Sequence, residues 1–519
     1  MDRHYFNLRE RLKKRRYQRK RIHKEWVGFG TGLRAVALDL WIAFQLFLLA
    51  VAYSLLVHYV PVAFYVCLCL TAITLLRVVI FERDIQSKIS WSVLFLLSFG
   101  GGFIIYILSR SQVCFAFHKR KYGNICKRVK PYEGGNDLSD EPKTAVESYL
   151  NGNGFRTYRD TEIKYYGNAR QALDNMIARV DGAKKFVFIE FFIVADGVFL
   201  ERLISIFRRK TAEGVKIFMT YDDVGCAGVF SEFVKGSIRD AGVKLKAFHP
   251  LFSPFYFGLN YRDHRKIVVV DGQTAYCGGY NLIDDCANQR IMEGVWKDSG
   301  VRVDGAAVDG FSLQFIKQWE FATGEKLDPR EYLNKYTPVA NAAKVIPYAG
   351  GPEMSGYICR GVYHKIISEA REKLFIMTPY LVPDSDTMKL LAKKTAEGVD
   401  VRLVLPGVPD YRYIYRITVA NADKLIKKGV KVYYSGGEFV HSKVMLTENV
   451  AAVGSVNMDM RAFYQEFDNG VVTDDSGAME QIASDFEWLF GRNEIAAVSK
   501  FNAFNAFVTG ALRLISPLM

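Results

Sequence analysis

From about residue 140 onward the chain contains one arrangement twice, and this duplication constrains the fold most strongly. An apolar, strand-like run over 185–193 is followed by the pentapeptide TAEGV at 211–215, and a run over 373–380 by TAEGV at 395–399. Another strand-like run follows each pentapeptide. Strands that alternate with helical stretches are typical of βαβ units on a mostly parallel sheet. The sequence therefore predicts an α/β fold of two similar tandem halves around a pseudo-two-fold axis.

Each repeat ends in the same polar pattern. The first copy has His264, Lys266, Asp271 and Asn281, and the second has His441, Lys443, Glu448 and Asn457. A histidine and a lysine two positions apart on a strand point to the same face of the sheet. A pseudo-two-fold relation between the halves would bring both histidine–lysine pairs into one shared cleft.

Such a cleft suits the chemistry of a phosphate ester. Two lysines supply positive charge and two asparagines supply donors, which together stabilise the oxygens of a phosphoryl group in its transition state. One histidine can attack phosphorus while the other moves the proton of the leaving or entering oxygen. The lysines take the place of a metal cluster, so we expect neither a metal nor a cofactor.

The first part of the chain reads as membrane-associated. Three apolar stretches, over 35–57, 60–81 and 91–108, have lengths that allow helices to cross about 30 Å of hydrocarbon. The alternative is a buried core hairpin. Positive charge in the tail over 1–34 favours the cytoplasm for the amino terminus. Three spans would then place the rest of the chain outside, but seven Lys/Arg and no acid over 110–130 favour the inside. We expect a multi-pass membrane protein, with the face of the catalytic region open.

Charge and cysteine content exclude other classes of protein. The net charge is +14, but residues 1–34 hold twelve Lys/Arg against three Asp/Glu, so little of it remains for the rest of the chain. A nuclease groove would carry clustered basic charge, so we expect no nucleic-acid partner. The eight cysteines are scattered without CxxC or zinc-ligand spacing, which indicates unbridged thiols.

The duplicated H-x-K-x(4)-D/E pattern, with its downstream glycines and asparagine, resembles the phospholipase D superfamily. The segments TPYLVPD at 378–384, WKD at 296–298 and GSVNMDMR at 454–461 further resemble bacterial cardiolipin synthases. The similarity extends over roughly residues 60–519 and includes the apolar segments near the amino terminus, and it implies that the membrane is the bacterial cytoplasmic membrane. It implies two phospholipase D-like halves, for which we predict the ranges 110–335 and 336–519, after a basic tail (1–34) and a membrane region (35–109).

The resemblance also implies a reaction. A phosphatidyl group passes reversibly from one phosphatidylglycerol to another through a phosphatidyl-histidine, giving cardiolipin and glycerol. His264 would be the nucleophile and His441 the general acid and base, while Lys266, Lys443, Asn281 and Asn457 would hold the phosphate. The substrates and membrane lipids are the expected partners, and a homo-oligomer remains open.

The resemblance assigns the acids as well. Asp298 and Asp468 match the downstream acids that orient the histidines. Asp271 and Glu448 are the acids within the motifs, and we count them with the histidines and lysines as catalytic residues. Glu448 departs from the usual aspartate. Water or another alcohol could replace the second lipid, so a membrane-bound hydrolase or another headgroup-exchange enzyme stays open, as do a nucleic-acid phosphodiesterase and an inactive scaffold.

Overall fold

The computed structural model describes residues 61–81, 85–98, 112–135, 143–250, 261–289, 295–352 and 356–499, with isolated positions at 44–59, 102–106, 354 and 509–512. The basic tail over 1–34 lies outside the described residues. The predicted spans over 35–57 and 91–108 are described only in part.

The amino-terminal described region is helical. Helix α1 (Pro61–Phe81) coincides with the second predicted span, and its residues Val62–Ile80 are long and apolar enough to cross a membrane. Only 17% of this apolar stretch is buried among the described residues. Helix α2 (Ile85–Leu97) packs against it around Val78 and Trp91. Among the described helices α1 alone meets the requirement for a membrane span.

Two seven-stranded mixed sheets form the rest of the fold. The first has the order β1-β8-β6-β5-β2-β3-β4, with β7 paired elsewhere. Its strands and β7 are β1 Thr161–Tyr166, β2 Phe186–Phe191, β3 Lys216–Asp222, β4 Lys244–Phe248, β5 Lys266–Val270, β6 Thr274–Gly278, β7 Val295–Lys297 and β8 Gly300–Gly305.

The second sheet repeats this arrangement with the order β13-β12-β10-β15-β16-β18-β9. The strands of the second half are β9 Val345–Gly350, β10 Lys373–Met377, β11 Leu381–Val382, β12 Asp400–Pro406, β13 Lys431–Ser435, β14 Glu438–Val440, β15 Val444–Thr447, β16 Ala451–Gly454, β17 Met458–Asp459 and β18 Asp468–Thr473. The two similar α/β halves are as predicted.

The predicted predominance of parallel pairing is wrong. In the first sheet β2, β3 and β4 pair in parallel, and in the second β10, β12 and β13 do; the other neighbours within each sheet are antiparallel. The reason is connection length. Helical crossovers join the parallel strands, whereas a short turn joins β5 to β6 and permits only a hairpin.

Helices cover the sheets in layers. Beyond α1 and α2 they are α3 Gln112–Val129, α4 Ala145–Gly152, α5 Ala169–Asp181, α6 Val198–Ala212, α7 Glu232–Asp240, α8 Val308–Thr323, α9 Pro329–Tyr332, α10 Ile358–Glu369, α11 Ser385–Ala396, α12 Arg412–Ile426, α13 Met460–Tyr464 and α14 Ser476–Arg492. Helices α8 and α14 share one core with the facing sides of both sheets. Helices α5–α7 cover the outer face of the first sheet, and α10–α12 that of the second.

The two halves interlock along the chain segments that carry the motifs. Strand β7 of the first half pairs in parallel with β14 of the second, and Asp263 forms a bridge with Phe467. Helix α4, which precedes the first sheet, packs on α10 and β9 of the second. The boundary at 335/336 stays a prediction.

Candidate active site

A cavity of about 570 Å³ opens where the two halves meet. Its walls come from both halves and include both motif histidines and both motif asparagines. The lining residues are Phe192, Ile193, His264, Asn281, Ile283 and Trp296 from the first half, and Tyr380, Val382, Asp410, Tyr411, Tyr413, Ile414, Ile417, His441, Asn457, Asp459, Met460, Arg461 and Glu466 from the second. The structure therefore brings the two repeats to one site.

His264 is held mainly by the second half. The residue is 6% exposed. Its Nδ1 lies 2.9 Å from Oδ1 of Asp468, and its backbone N–H donates to the carbonyl of Phe467 over 2.8 Å. The ring of Phe192 packs edge-on against the imidazole at 5.0 Å between centroids. With Nδ1 fixed by a carboxylate, the lone pair of Nε2 is left for chemistry.

His441 is held in the same way by the first half. Its Nδ1 lies 2.6 Å from Oδ2 of Asp298, and its backbone N–H donates to the carbonyl of Lys297 over 2.7 Å. The ring of Trp296 lies 5.1 Å from the imidazole. Each orienting acid thus serves the histidine of the other half, so the two halves complete each other's motif.

The two motif lysines lie directly behind the histidines. The Lys266 ammonium donates to the carbonyl of His264 over 2.5 Å, and the Lys443 ammonium donates to the carbonyl of His441 and lies 2.9 Å from its Nδ1. Both side chains are buried. Two ammonium groups buried together repel each other, and a bound phosphate anion would relieve that repulsion.

Burial and mutual repulsion shift the pKa values of these groups. Burial, with the charge of the neighbouring lysine, lowers the pKa of Lys266 to about 7, and burial lowers that of Lys443 to about 8. Burial and Lys443 lower the pKa of His441 to about 4 against the opposing effect of Asp298, and the pKa of His264 is also well below its usual value, through burial and Lys266. A neutral imidazole is the form that a nucleophile or base requires.

The orienting acids differ in their own environment. Burial opposes ionisation of Asp298, but His441 and Lys443 outweigh it and hold its pKa below the usual range. Burial raises the pKa of Asp468, even though Ser455 donates to its Oδ1 over 2.6 Å. The site is therefore symmetric in its residues but not in its electrostatics.

Comparison with known proteins places this geometry in a family. A family model described as "Cardiolipin synthase, PLD-like domain" matches residues 363–490. "Cardiolipin synthase 2" of Bacillus anthracis is 30% identical over 365 residues, which cover 69% of this chain and 71% of that protein. The chain belongs to the cardiolipin synthase family. "Cardiolipin synthase" of Clostridium perfringens, strain SM101, is 28% identical over 83% of this chain and 94% of its own length.

A solved structure supports the fold of this family member. The crystal structure of a phosphatidylserine synthase from Haemophilus influenzae covers 73% of this chain with a TM-score of 0.57, and the match covers 100% of that chain. The sequence identity is 14%, so the likeness concerns the fold alone. The predicted resemblance to the phospholipase D superfamily is confirmed.

The two motif asparagines of this cardiolipin synthase family member are not equivalent. The carbonyl Oδ1 of Asn281 accepts from the backbone N–H of Ile193 over 3.3 Å, which leaves its amide nitrogen to donate to an anion. The Oδ1 of Asn457, in contrast, has no hydrogen-bond partner among the described residues. The Asn457 side chain favours the ionised form of the Asp459 carboxyl, against the burial that raises the pKa of that group.

The acids within the motifs lie away from the cavity. Asp271 and Glu448 follow their lysines by five residues of strand and turn, a distance of about 16 Å. The Asp271 carboxylate accepts backbone N–H groups of 184–186 over 2.7–2.9 Å. Glu448 does the same for residues 371–373 over 2.9–3.4 Å. The position of these two acids does not support the expected catalytic role, since each tethers the chain segment before a central strand.

Sequence reasoning missed several residues of the site. Glu466 is buried, and its Oε2 lies 4.0 Å from Nδ1 of His264 while its Oε1 pairs with Nε of Arg461 at 2.8 Å. Glu466 and Trp296 each stand two residues before an orienting aspartate, so aligning the repeats through Asp298 and Asp468 would have found both. Burial raises the pKa of Glu466 to about 8 against the effect of Arg461.

One cluster at the site has the geometry of a cation site. His264, Glu466 and Asp468 present donor atoms that all lie within 4.8 Å of one another. The Asp468 oxygen already pairs with Nδ1 of His264, and Glu466 pairs with Arg461. These pairs compete with an ion for the same atoms, and a chelator separates the two possibilities experimentally.

Proposed function

We propose that this chain is a membrane-anchored cardiolipin synthase. It transfers a phosphatidyl group from one phosphatidylglycerol to a second and releases glycerol. The observation that carries the proposal is the pair of buried histidines, each held by an aspartate of the opposite half, in one cavity beside two buried lysines. The named relatives of the family support the choice of substrate and product.

In the first step Nε2 of His264 attacks the phosphorus of phosphatidylglycerol. A P–N bond forms and the P–O bond to glycerol breaks, while protonated His441 gives its proton to the leaving oxygen. The phosphate charge and Asp298 both favour that proton on His441, against the burial that opposes it. Asp468 stabilises the positive charge that develops on the His264 ring.

In the second step neutral His441 takes the proton of a primary hydroxyl on another phosphatidylglycerol. The oxygen attacks phosphorus, the P–N bond breaks, and His264 returns to its neutral form. Lys266, Lys443 and Asn281 hold the phosphate oxygens in both steps, because they supply two charges and a free amide donor. One phosphodiester replaces another, so the reaction is reversible.

The aromatic and aliphatic wall of the cavity favours a lipid acceptor over water. Phe192, Ile283 and Trp296 line the first-half side, where apolar surface excludes water from the intermediate. A hydrolase of the same fold would make phosphatidic acid at this point, and this remains the alternative function.

The apolar segments near the amino terminus suggest how the chain is anchored in the membrane. We infer that α1 anchors the catalytic region, that the apolar stretches over 35–57 and 91–108 add further passes, and that the membrane is the bacterial cytoplasmic membrane. The exposed apolar surface of α1 supports the anchor. Resistance of the full chain to extraction by alkaline carbonate tests it, and release into the supernatant would contradict it.

The deciding experiment uses purified full-length protein in detergent, phosphatidylglycerol as the sole lipid, and EDTA. Wild type should form cardiolipin and glycerol one for one, and His264→Ala should form neither. Glu480→Gln, an exposed change on α14, serves as the matched control. Phosphatidic acid in place of cardiolipin would establish the hydrolase, and loss of activity in EDTA with recovery on adding a metal would refute the metal-free mechanism.

A further inference from the structure

The pseudo-two-fold symmetry of the site is broken at two matching positions. Two residues after the motif asparagine, the first half has Ile283 and the second has Asp459. Two residues before the orienting aspartate, the first half has Trp296 and the second has Glu466. All four line the cavity. One wall is therefore apolar where its counterpart carries carboxylates.

The carboxylate wall also contains a buried hydrogen-bond acceptor that has no donor among the described residues. Asn457 is 5% exposed and lines the cavity, and its Oδ1 has no hydrogen-bond partner among the described residues. An amide oxygen only accepts hydrogen bonds, so this atom cannot serve the oxygens of a phosphate, which also only accept. A buried acceptor without a donor costs free energy that a ligand hydroxyl would recover.

An arginine of the same wall partly neutralises the negative charge of its carboxylates. Arg461 lines the cavity and pairs with Oε1 of Glu466, which fixes the carboxyl group and reduces its attraction for a free cation. Asp459 caps α13 by accepting the backbone N–H of Ala462 over 2.8 Å, so its position is also fixed. Whether Glu466 is protonated or not, it keeps an oxygen that accepts a hydrogen bond.

We propose that Asn457, Asp459 and Glu466 form a polyol subsite that binds the hydroxyl groups of the glycerol headgroup. This rests on the proposed function and deepens it. The leaving glycerol and the headgroup of the entering phosphatidylglycerol each carry a secondary hydroxyl on the carbon next to the one that bears the reacting oxygen. These hydroxyls are the donors that the acceptor-rich wall lacks. The subsite selects a diol over a simple alcohol.

The test is the partition of the phosphatidyl-histidine between alcohols. Phosphatidylglycerol is the donor, and labelled glycerol competes with labelled 1-propanol, which has the same carbon chain and one hydroxyl. In each transfer the alcohol oxygen bonds to phosphorus, the P–N bond breaks, and the alcohol proton goes to His441. The product ratio does not depend on how fast the intermediate forms or on the fraction of folded enzyme.

At about pH 9, where Glu466 is ionised because its pKa is raised to about 8, wild type should favour glycerol. Glu466→Gln should reduce the glycerol-to-propanol ratio about ten-fold at this pH, as expected for one hydrogen bond to a charged group. Asp459→Asn should shift the ratio in the same direction, and the surface control Glu480→Gln should leave it unchanged. Should Glu466→Gln fail to fold, Glu466→Asp and Asp459→Asn give the same readout.

An unchanged ratio in folded variants would overturn the proposal. Labelled ethanolamine separates a cation site from a polyol site. If Glu466→Gln lost transfer to ethanolamine but kept its glycerol-to-propanol ratio, the wall would bind cations and the proposal would fall. One further outcome is that the wild-type enzyme exchanges labelled glycerol into phosphatidylglycerol but makes no cardiolipin. This result would refute the proposed function and leave the polyol subsite supported.

Discussion

Replacing Asp298 by Asn tests the crossed arrangement of the site. The change removes a charge-assisted hydrogen bond of 2.6 Å to Nδ1 of His441, in a buried setting where that imidazole must carry a proton during the first step. An interaction of this kind contributes about 2–4 kcal/mol, which corresponds to a loss of about 30- to 900-fold in the transfer rate. The sequence order alone would assign this effect to His264, which lies in the same half as Asp298.

The assay compares two leaving groups. With phosphatidylglycerol, Asp298→Asn should be slowed by the full factor because glycerol leaves only when protonated. With a phosphatidyl ester of p-nitrophenol, whose leaving group needs no proton, the first equivalent of phenol should appear at nearly the wild-type rate and turnover should then stall. Asp468→Asn should slow that first equivalent itself, since Asp468 holds the nucleophile.

Two results would refute this reasoning. Equal slowing of both esters by Asp298→Asn would mean that Asp298 does not act through a proton on His441. A burst that Asp468→Asn keeps and Asp298→Asn loses would exchange the roles of the histidines. Glu480→Gln should behave as wild type with both esters.

The remaining predictions concern pH and Glu448. Because the pKa values of Lys266 and Lys443 are lowered to about 7 and about 8, both lysines lose charge as pH rises, so KM for phosphatidylglycerol should rise above pH 8; a KM independent of pH up to 10 would contradict this. Glu448→Ala should lower the free energy of unfolding by about 1–3 kcal/mol, measured by thermal denaturation, because it leaves three backbone N–H groups unpaired. Glu448→Asp should keep activity per folded molecule, and a large loss of kcat would show a role in the chemistry.

Much of the fold followed from the duplication in the sequence. Repeated strand-like runs and the two TAEGV segments predicted two similar halves. The histidines of the two H-x-K pairs line one cavity, and the lysines lie behind them. The sheets are less parallel than predicted because β5 and β6 form a hairpin and β8 runs antiparallel to both of its neighbours, β6 and β1. Nothing in the apolar runs of these short strands distinguishes a hairpin from a crossover until the turn lengths are considered.

What the sequence could not provide is how the halves dock. Asp298 and Asp468 were recognised as orienting acids, but their exchange between halves depends on the pairing of β7 with β14 and of Asp263 with Phe467. Glu466 escaped notice because it is not part of the H-x-K pattern, and its contacts with His264 and Arg461 show its place in the site. Both the exchange of the orienting acids between the halves and the place of Glu466 in the site depend on long-range packing.

The central claim is that His264 carries the phosphatidyl group, and isolating that adduct tests it most directly. Wild type and His441→Ala are mixed with the phosphatidyl ester of p-nitrophenol, whose leaving group needs no proton. The reactions are stopped in alkali to preserve a phosphoramidate, digested, and analysed by mass spectrometry. The account predicts a phosphatidyl mass on the peptide that contains His264, accumulating in His441→Ala and absent in His264→Ala. An adduct on the peptide with His441, or its formation in His264→Ala, would contradict it.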